Sequence, residues 1–163
     1  MELRVKLMPK DIFMFSMYHF YQTIPGIISV ACTILVLGVV AASWSAQPGV
    51  FRAIMLIGVV FVMVCQPFLI YQKAVRQTKD PQAGKEIYYK LDYNGIRVQQ
   101  GKEKGTVSWS QVVKVRKIPG TFVVYLNRSR AYLFPYWALT GDKKTQFTSA
   151  INQYVPKEKR RGI

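Results

Sequence analysis

Two apolar runs lie along this chain with almost nothing between them. No Asp, Glu, Lys or Arg occurs across residues 12–51, and after Arg52 none occurs before Lys73. Within these stretches, residues 24–46 and 53–71 are each long enough to cross a bilayer core as one helix, for which about 20 residues suffice. Ser45-Ala46-Gln47-Pro48-Gly49 between them is short, polar and turn-forming. The pattern predicts a transmembrane hairpin with spans 24–46 and 53–71. A cleaved signal peptide is the competing reading of the first run, with Ala41-Ala42-Ser43 as its small-residue site. Against it stand the long preceding segment, an apolar run beyond the usual core of about 7–15 residues, and a second span that follows at once.

Antiparallel helices joined by a short turn set residues of equal depth side by side. Counted inward from Ile24 and Tyr71, Gly38 comes beside Gly58, while Thr33, nine residues in, is the hydroxyl taken as the partner of Gln66, five residues in. Gly38 also heads a Gly-xxx-Ala pair with Ala42, the small-residue spacing that lets helix backbones approach. Gln66 is the one strongly polar side chain of the second run, and a buried amide needs a partner. A Thr33–Gln66 hydrogen bond is therefore expected. Pro67 follows directly and is expected to kink the second helix. Two helices with one Gln and no charge enclose no pore unless several copies assemble.

Outside the hairpin the period of apolar residues changes. Residues 2–7 alternate, with Leu3, Val5 and Leu7 on one face, as in a strand. Pro9-Lys10-Asp11 carries helix-start features and opens a segment rich in Met, Phe and Tyr. This predicts an interfacial helix feeding the first span. Residues 72–85 read as a helix extension or linker. Short strand-like runs follow at 86–91, 96–100, 106–109, 112–118, 121–126 and 130–135, with Asn94-Gly95, Pro119-Gly120 and Asn127-Arg128-Ser129 as turns and 101–105 as a charged loop. Residues 142–154 form a helix with Phe147, Ala150, Ile151 and Tyr154 on one face. The expected organisation is an N-terminal strand and helix (1–23), the hairpin (24–71), a linker (72–85), a β module with C-terminal helix (86–155) and a mobile basic tail (156–163). Six strands and a helix predict a small antiparallel barrel or sandwich. Adding the N-terminal strand makes seven, as in a pleckstrin-homology-like domain, so the hairpin would interrupt the domain after its first strand. The fold class is α+β.

Charge changes the picture by placing the module. The chain carries +15 overall, and from residue 72 onward 19 Lys/Arg stand against six Asp/Glu, an excess of +13. Arg4, Lys6 and Lys10 precede the first span, and Lys73, Arg76 and Lys79 follow the second, while the turn has only Arg52. The positive-inside rule then puts both termini in the cytoplasm. A basic module tethered there lies beside anionic lipid, which makes lipid a better partner than nucleic acid. Lys114 and Arg116 share one strand face, opposite Val113 and Val115, and are candidate contacts for a phosphate headgroup, against the plainer reading of a charge-guarded strand. Lys157, Lys159, Arg160 and Arg161 of the tail are further candidates. Tyr136 and Trp137 suit insertion at headgroup level.

Chemistry is sparse. Cys32 and Cys65 fall inside the spans as small apolar residues, and His19 is the only histidine. No spacing suggests a metal, a cofactor, a phosphate loop or a catalytic set, so an enzyme is the least favoured class.

Three runs carry a family resemblance: Val107-Ser108-Trp109-Ser110-Gln111-Val112, Phe122-Val123-Val124-Tyr125-Leu126 and Ala131-Tyr132-Leu133-Phe134-Pro135. An apolar–Trp–polar turn, an aromatic-rich strand and an Ala-containing strand ending in Pro resemble the C-terminal domain of YcxB-like bacterial membrane proteins. The double-span layout fits the same family over nearly the whole chain. One departure is that Tyr136-Trp137 follows Pro135 where the family commonly has a basic residue, which suggests an aromatic contact instead. The resemblance implies a multi-pass protein of the bacterial inner membrane, and no defined reaction. The expected role is a scaffold or regulator whose module binds lipid, a protein partner or a second copy of itself. The competing role is an accessory subunit of a transport or immunity system, acting through its spans.

The Lys/Arg asymmetry makes a testable statement about topology. With Cys32 and Cys65 replaced by Ala, an impermeant thiol reagent added outside the cell should label a cysteine placed at Gln47 and not one placed at Lys104. The reverse pattern would invert the protein.

Overall fold

The alternation at the start of the chain becomes a sheet edge. In the structure, a computed structural model describing residues 1–81, 84–127 and 130–162, β1 (Glu2–Val5) pairs antiparallel with β2 (Ile87–Asp92), Leu3 opposite Tyr89 and Val5 opposite Ile87. Leu3 and Val5 are 2% and 0% exposed. Leu7 lies beyond the strand and packs on the core from its margin. The Met1 ammonium donates to the Leu91 carbonyl at 2.9 Å, and Leu91 N–H returns a bond to the Met1 carbonyl.

Three helices separate β1 from β2. These are α1 (Pro9–Phe20), α2 (Ile24–Ala42) and α3 (Gly49–Lys79). The Asp11 carboxylate accepts from the Met8 backbone N–H at 2.9 Å, closing the first turn of α1. Gly26 sits where α2 turns against the end of α1, and a side chain there would collide with the Phe20 carbonyl. Helices α2 and α3 are long and apolar enough to cross a membrane, with mean hydropathies of 2.5 and 2.6. The first expected span is shorter than 24–46, because Ala42 ends α2 and residues 43–48 make the turn. The second runs on without a break through Pro67 to Lys79, so most of the expected linker is helix.

The two helices meet along a different line from the one expected. The less exposed positions of α2 are Gly26, Ser29, Thr33, Val36 and Val40, spaced three and four apart. Gly38, Ala42 and Gly58 are exposed, and a side chain on Gly38 or Gly58 would meet open space. Gln66 donates to Ser29 Oγ at 2.7 Å, one turn from the expected partner, while Thr33 spends its hydroxyl on the Ser29 carbonyl at 2.8 Å.

The module then builds two sheets. The first has the order β1-β2-β3-β4, with β3 (Gly95–Gln100) and β4 (Glu103–Val107). Residues 103–105, expected in a charged loop, are strand: they pair along β3 although none of their side chains is buried. The second sheet has the order β7-β6-β5-β8, with β5 (Lys114–Ile118), β6 (Thr121–Tyr125), β7 (Ala131–Pro135) and β8 (Arg160–Arg161). Pro119-Gly120 turns β5 into β6, with Gly120 at φ 77°, a conformation that Gly adopts without strain. Arg128 and Ser129 of the next expected turn lie outside the described residues.

Helix α4 (Lys143–Tyr154) closes the core with Phe147 and Ile151, both 0% exposed. Phe147 packs on Phe122 and Phe134 at ring distances of 5.2 and 4.8 Å, and Tyr89 adds to Phe134 at 4.7 Å. Trp109 stacks on Tyr154 at 5.2 Å and donates to the Asp92 carbonyl at 2.9 Å. The tail is docked instead of mobile. Its residues 160–161 pair parallel to β5, and Lys159 Nζ donates to the Val112 carbonyl at 2.8 Å.

Because Leu3 is fully enclosed, Leu3→Ala should destabilise the protein by about 2–5 kcal/mol. Arg4→Ala on the exposed face should stay within about 0.5 kcal/mol. Thermal unfolding in detergent followed by Trp109 fluorescence measures both, and an unmoved midpoint for Leu3→Ala would mean that the module closes without β1.

Candidate functional site at the base of the hairpin

Helix α1 joins the module to the hairpin. Its Phe13 meets Tyr71 of α3 edge-to-face at 5.7 Å, and its Phe15 meets Tyr125 of β6 at 6.3 Å. Phe15 and Tyr18 cover a small apolar patch of Ile118, Val123 and Leu133 on the outer face of the second sheet. The α1 helix is thus held on both sides, by the sheet and by the extension of α3.

Strand β5 brings Lys114 and Arg116 to one face, as its alternation requires, and Val115 points into the core. Val113, expected on the Val115 face, is 56% exposed instead: it precedes the strand, and Val112 takes the buried position. Strand β8 lies alongside β5 in parallel register, with Arg161 beside Arg116. Three cations converge, and among the described residues none of them forms an ion pair. Burial first, then the neighbouring Arg116 and Arg161 charges, hold the Lys114 ammonium below its ordinary pKa. Such a site lacks an anion of its own.

The cluster has a defined position. The Arg116 guanidinium donates to the Gln22 side chain and sits 5.2 Å from the Tyr18 ring centre. Gln22 lies two residues before Ile24, where α2 begins. The positive face therefore adjoins the point where the chain enters its first apolar helix.

The other expected contacts go elsewhere. Arg160 hydrogen-bonds Asn152 of α4, and Lys157 stands apart from the cluster in the turn before β8. Tyr136 is packed against Phe122 at 5.0 Å, its hydroxyl donating to the Ile118 carbonyl at 3.4 Å. Burial holds that hydroxyl's pKa above its ordinary value. The Tyr136 ring and hydroxyl both have partners inside the module. Trp137 is 43% exposed, and its indole N–H is shared between the two Asp11 oxygens at 3.2 Å each. Neither Gln22 nor Asp11 stood out in the sequence as a tertiary partner. A polar side chain just before an apolar span was the one available signal for Gln22, and Asp11 was already accounted for by its helix start.

Residues 91–151 match the family of YcxB-like proteins. The YcxB-like segment begins near the end of β2 and ends inside α4, so it covers the middle of the module without β1, the hairpin, most of β2 or β8. No curated protein and no solved structure matches the chain. The YcxB-like segment supplies Lys114 and Arg116, while Arg161 and the Gln22 contact come from outside it.

Asp11 ties α1 to the β7–α4 connection of the YcxB-like segment. Asp11→Ala leaves the Met8 N–H and the Trp137 indole without their acceptor, at a cost of about 1–3 kcal/mol. The variant should show a lower melting temperature. With Trp44 and Trp109 replaced by Phe, Trp137 fluorescence should become more accessible to a soluble quencher, and unchanged quenching would remove Asp11 as the tether.

Proposed function

We propose that this is a membrane-anchored, non-enzymatic scaffold whose PH-like module holds anionic lipid headgroups at Lys114, Arg116 and Arg161. The observation that carries the reading is the position of an unpaired three-cation cluster beside the start of α2. Membrane crossing is supported by exposure: only 11% and 6% of the most apolar windows of α2 and α3 are buried. A core helix of a soluble protein has its apolar face covered, whereas these helices present Ile, Leu, Val and Phe outward on most sides. Seven principal strands in two sheets, closed by a C-terminal helix, support the pleckstrin-homology-like comparison. Pairing of β1 with β2 puts both ends of the hairpin on one side of any bilayer it crosses. The Lys/Arg distribution favours the cytoplasmic side of a bacterial inner membrane. With the hairpin inserted, the cluster lies at headgroup depth, where each basic residue contributes about 1 kcal/mol of attraction to anionic lipid.

Neutralising Arg116 and Arg161 together (Arg116→Gln with Arg161→Gln) should therefore weaken retention of anionic lipid about thirtyfold, the equivalent of about 2 kcal/mol. The control is Lys102→Gln with Lys104→Gln, an equal charge change in and beside β4. The measurement is the anionic lipid carried by the full chain extracted from mixed nanodiscs, counted by native mass spectrometry at low and high salt. Retention should fall with salt, because the screening length shrinks from about 10 Å at 0.1 M to about 3 Å at 1 M. Equal losses from both pairs would reduce the effect to bulk charge and overturn the site.

A further inference from the structure

A cavity of about 460 Å³ opens where α1, the end of α3 and the two sheets meet. Its volume is in the range of small-molecule sites, about 300–1,000 Å³. Helix α1 lines one side of it, and strands of both sheets line the other. Leu7, Ile12 and Phe15 line it from the N-terminal segment, and Ile87, Val98 and Leu133 from the sheets. These residues form the apolar part of its lining. Polar side chains share the lining, Ser16, His19, Gln77, Gln100 and Arg130 among them, and His19 and Arg130 are both exposed. Among the described residues no Asp or Glu lines the cavity.

Tyr89 adds a separate observation. It is 1% exposed, yet it belongs to the cavity wall. None of the hydrogen bonds among the described residues uses its hydroxyl, and no fully sealed side-chain polar atom lacks a partner. The hydroxyl therefore keeps its access through the cavity. A buried phenol left open to an apolar chamber is a donor awaiting an acceptor.

Position completes the argument. Gln77 lies six residues past Tyr71, where the apolar run of α3 ends. At about 1.5 Å of rise per residue, that is roughly 9 Å along the helix. The cavity therefore lies close to the leaflet from which a lipid would come.

We propose that this cavity binds a single-chain anionic amphiphile, its acyl chain against Leu7, Phe15, Val98 and Leu133 and its carboxylate or phosphate at Arg130 and His19. The site shares no residue with the basic cluster at β5 and β8, so either can fail without the other. Two sources offer this chemistry, a free fatty acid and a lysophospholipid.

The test uses the full chain in zwitterionic nanodiscs, labelled with diazirine-bearing palmitate in one arm and diazirine-bearing lysophosphatidylglycerol in the other. Crosslinked positions are mapped by peptide mass spectrometry. Labelling is expected at α1 and β7, competed by the matching unlabelled lipid, and the arm that saturates at lower concentration names the headgroup. Val98→Trp should fill the chamber and abolish this labelling. Arg130→Gln should raise the half-saturating concentration at least fivefold, and Tyr89→Phe should raise it measurably. Arg130 is exposed, so its variant keeps the test valid if Val98→Trp does not fold. Labelling confined to α2 and α3 in both arms, or labelling of α1 and β7 that Arg130→Gln leaves unchanged, would overturn the proposal.

Discussion

Pairing between β1 and β2 is the constraint on which the rest of the molecule depends. Four residues at the start of the chain hydrogen-bond to a strand that follows three helices. The apolar helices are therefore an insertion into a sheet, and both of their ends must return to one place. That closure alone brings both ends of the hairpin to one side of the module, before any argument from charge. Closure also sets a length condition. Helix α3 (31 residues) exceeds α2 (19 residues), and the excess carries the chain from the hairpin base back to the level of β2. A loop-closing pairing of this kind costs entropy that grows only slowly with the length enclosed. Enclosure of Leu3 and Val5, with the terminal bonds between Met1 and Leu91, offsets it.

Helix α1 converts that closure into a fixed attachment. It contacts α3 through Phe13 and the second sheet through Phe15 and Tyr18, and it is pinned at its two ends by Asp11–Trp137 and Gln22–Arg116. A flexible linker would let the module tumble relative to the hairpin. Here the module has one face toward the hairpin base, set by aromatic packing and by hydrogen bonds to ionised groups, which are stronger than neutral ones.

Elements whose signal is local were legible in the sequence. Alternation named Leu3 and Val5 as inward-facing, and helical spacing named Phe147 and Ile151 as the core face of α4. Both are read from a few adjacent residues. What failed was azimuth and long-range docking. Counting depth along two helices brought Gly38 level with Gly58, but depth says nothing about which way a residue faces on a helix with 3.6 residues per turn. The seam follows the polar and small residues Gly26, Ser29 and Thr33 instead, and Gln66 takes the hydroxyl that lies on it. Strand β4 was hidden because its charged residues never alternate with apolar ones; backbone pairing to β3 makes it a strand. Residues 160–161 read as a loose tail because two arginines have no intrinsic strand signal. The edge of β5 supplies the missing partner. Trp137 carried an interfacial composition, and the carboxylate that holds it lies on α1, far away in sequence.

Charge is distributed unevenly between the two sheets, and the unevenness bears on function more than the total does. In the first sheet two cations have partners, Lys90 with Glu2 at 2.8 Å and Arg97 with Asp92 at 3.0 Å, while Arg4 and Lys104 form no ion pair among the described residues. The hydrogen bond from Lys90 holds Glu2 below its ordinary pKa, as expected where opposite charges are matched. In the second sheet Arg161 is brought beside Arg116 with Lys114 next to both, and the neutral Gln22 and Tyr18 are the groups that face them. Like charges in neighbouring strands oppose pairing, so β8 docks on β5 against an electrostatic cost. Lys159 and Arg160, bonded to Val112 and Asn152, supply the contacts that hold it there. A stretch of two residues is thus held against repulsion at the point where the chain turns into its first apolar helix, and an anion placed there would relieve that repulsion.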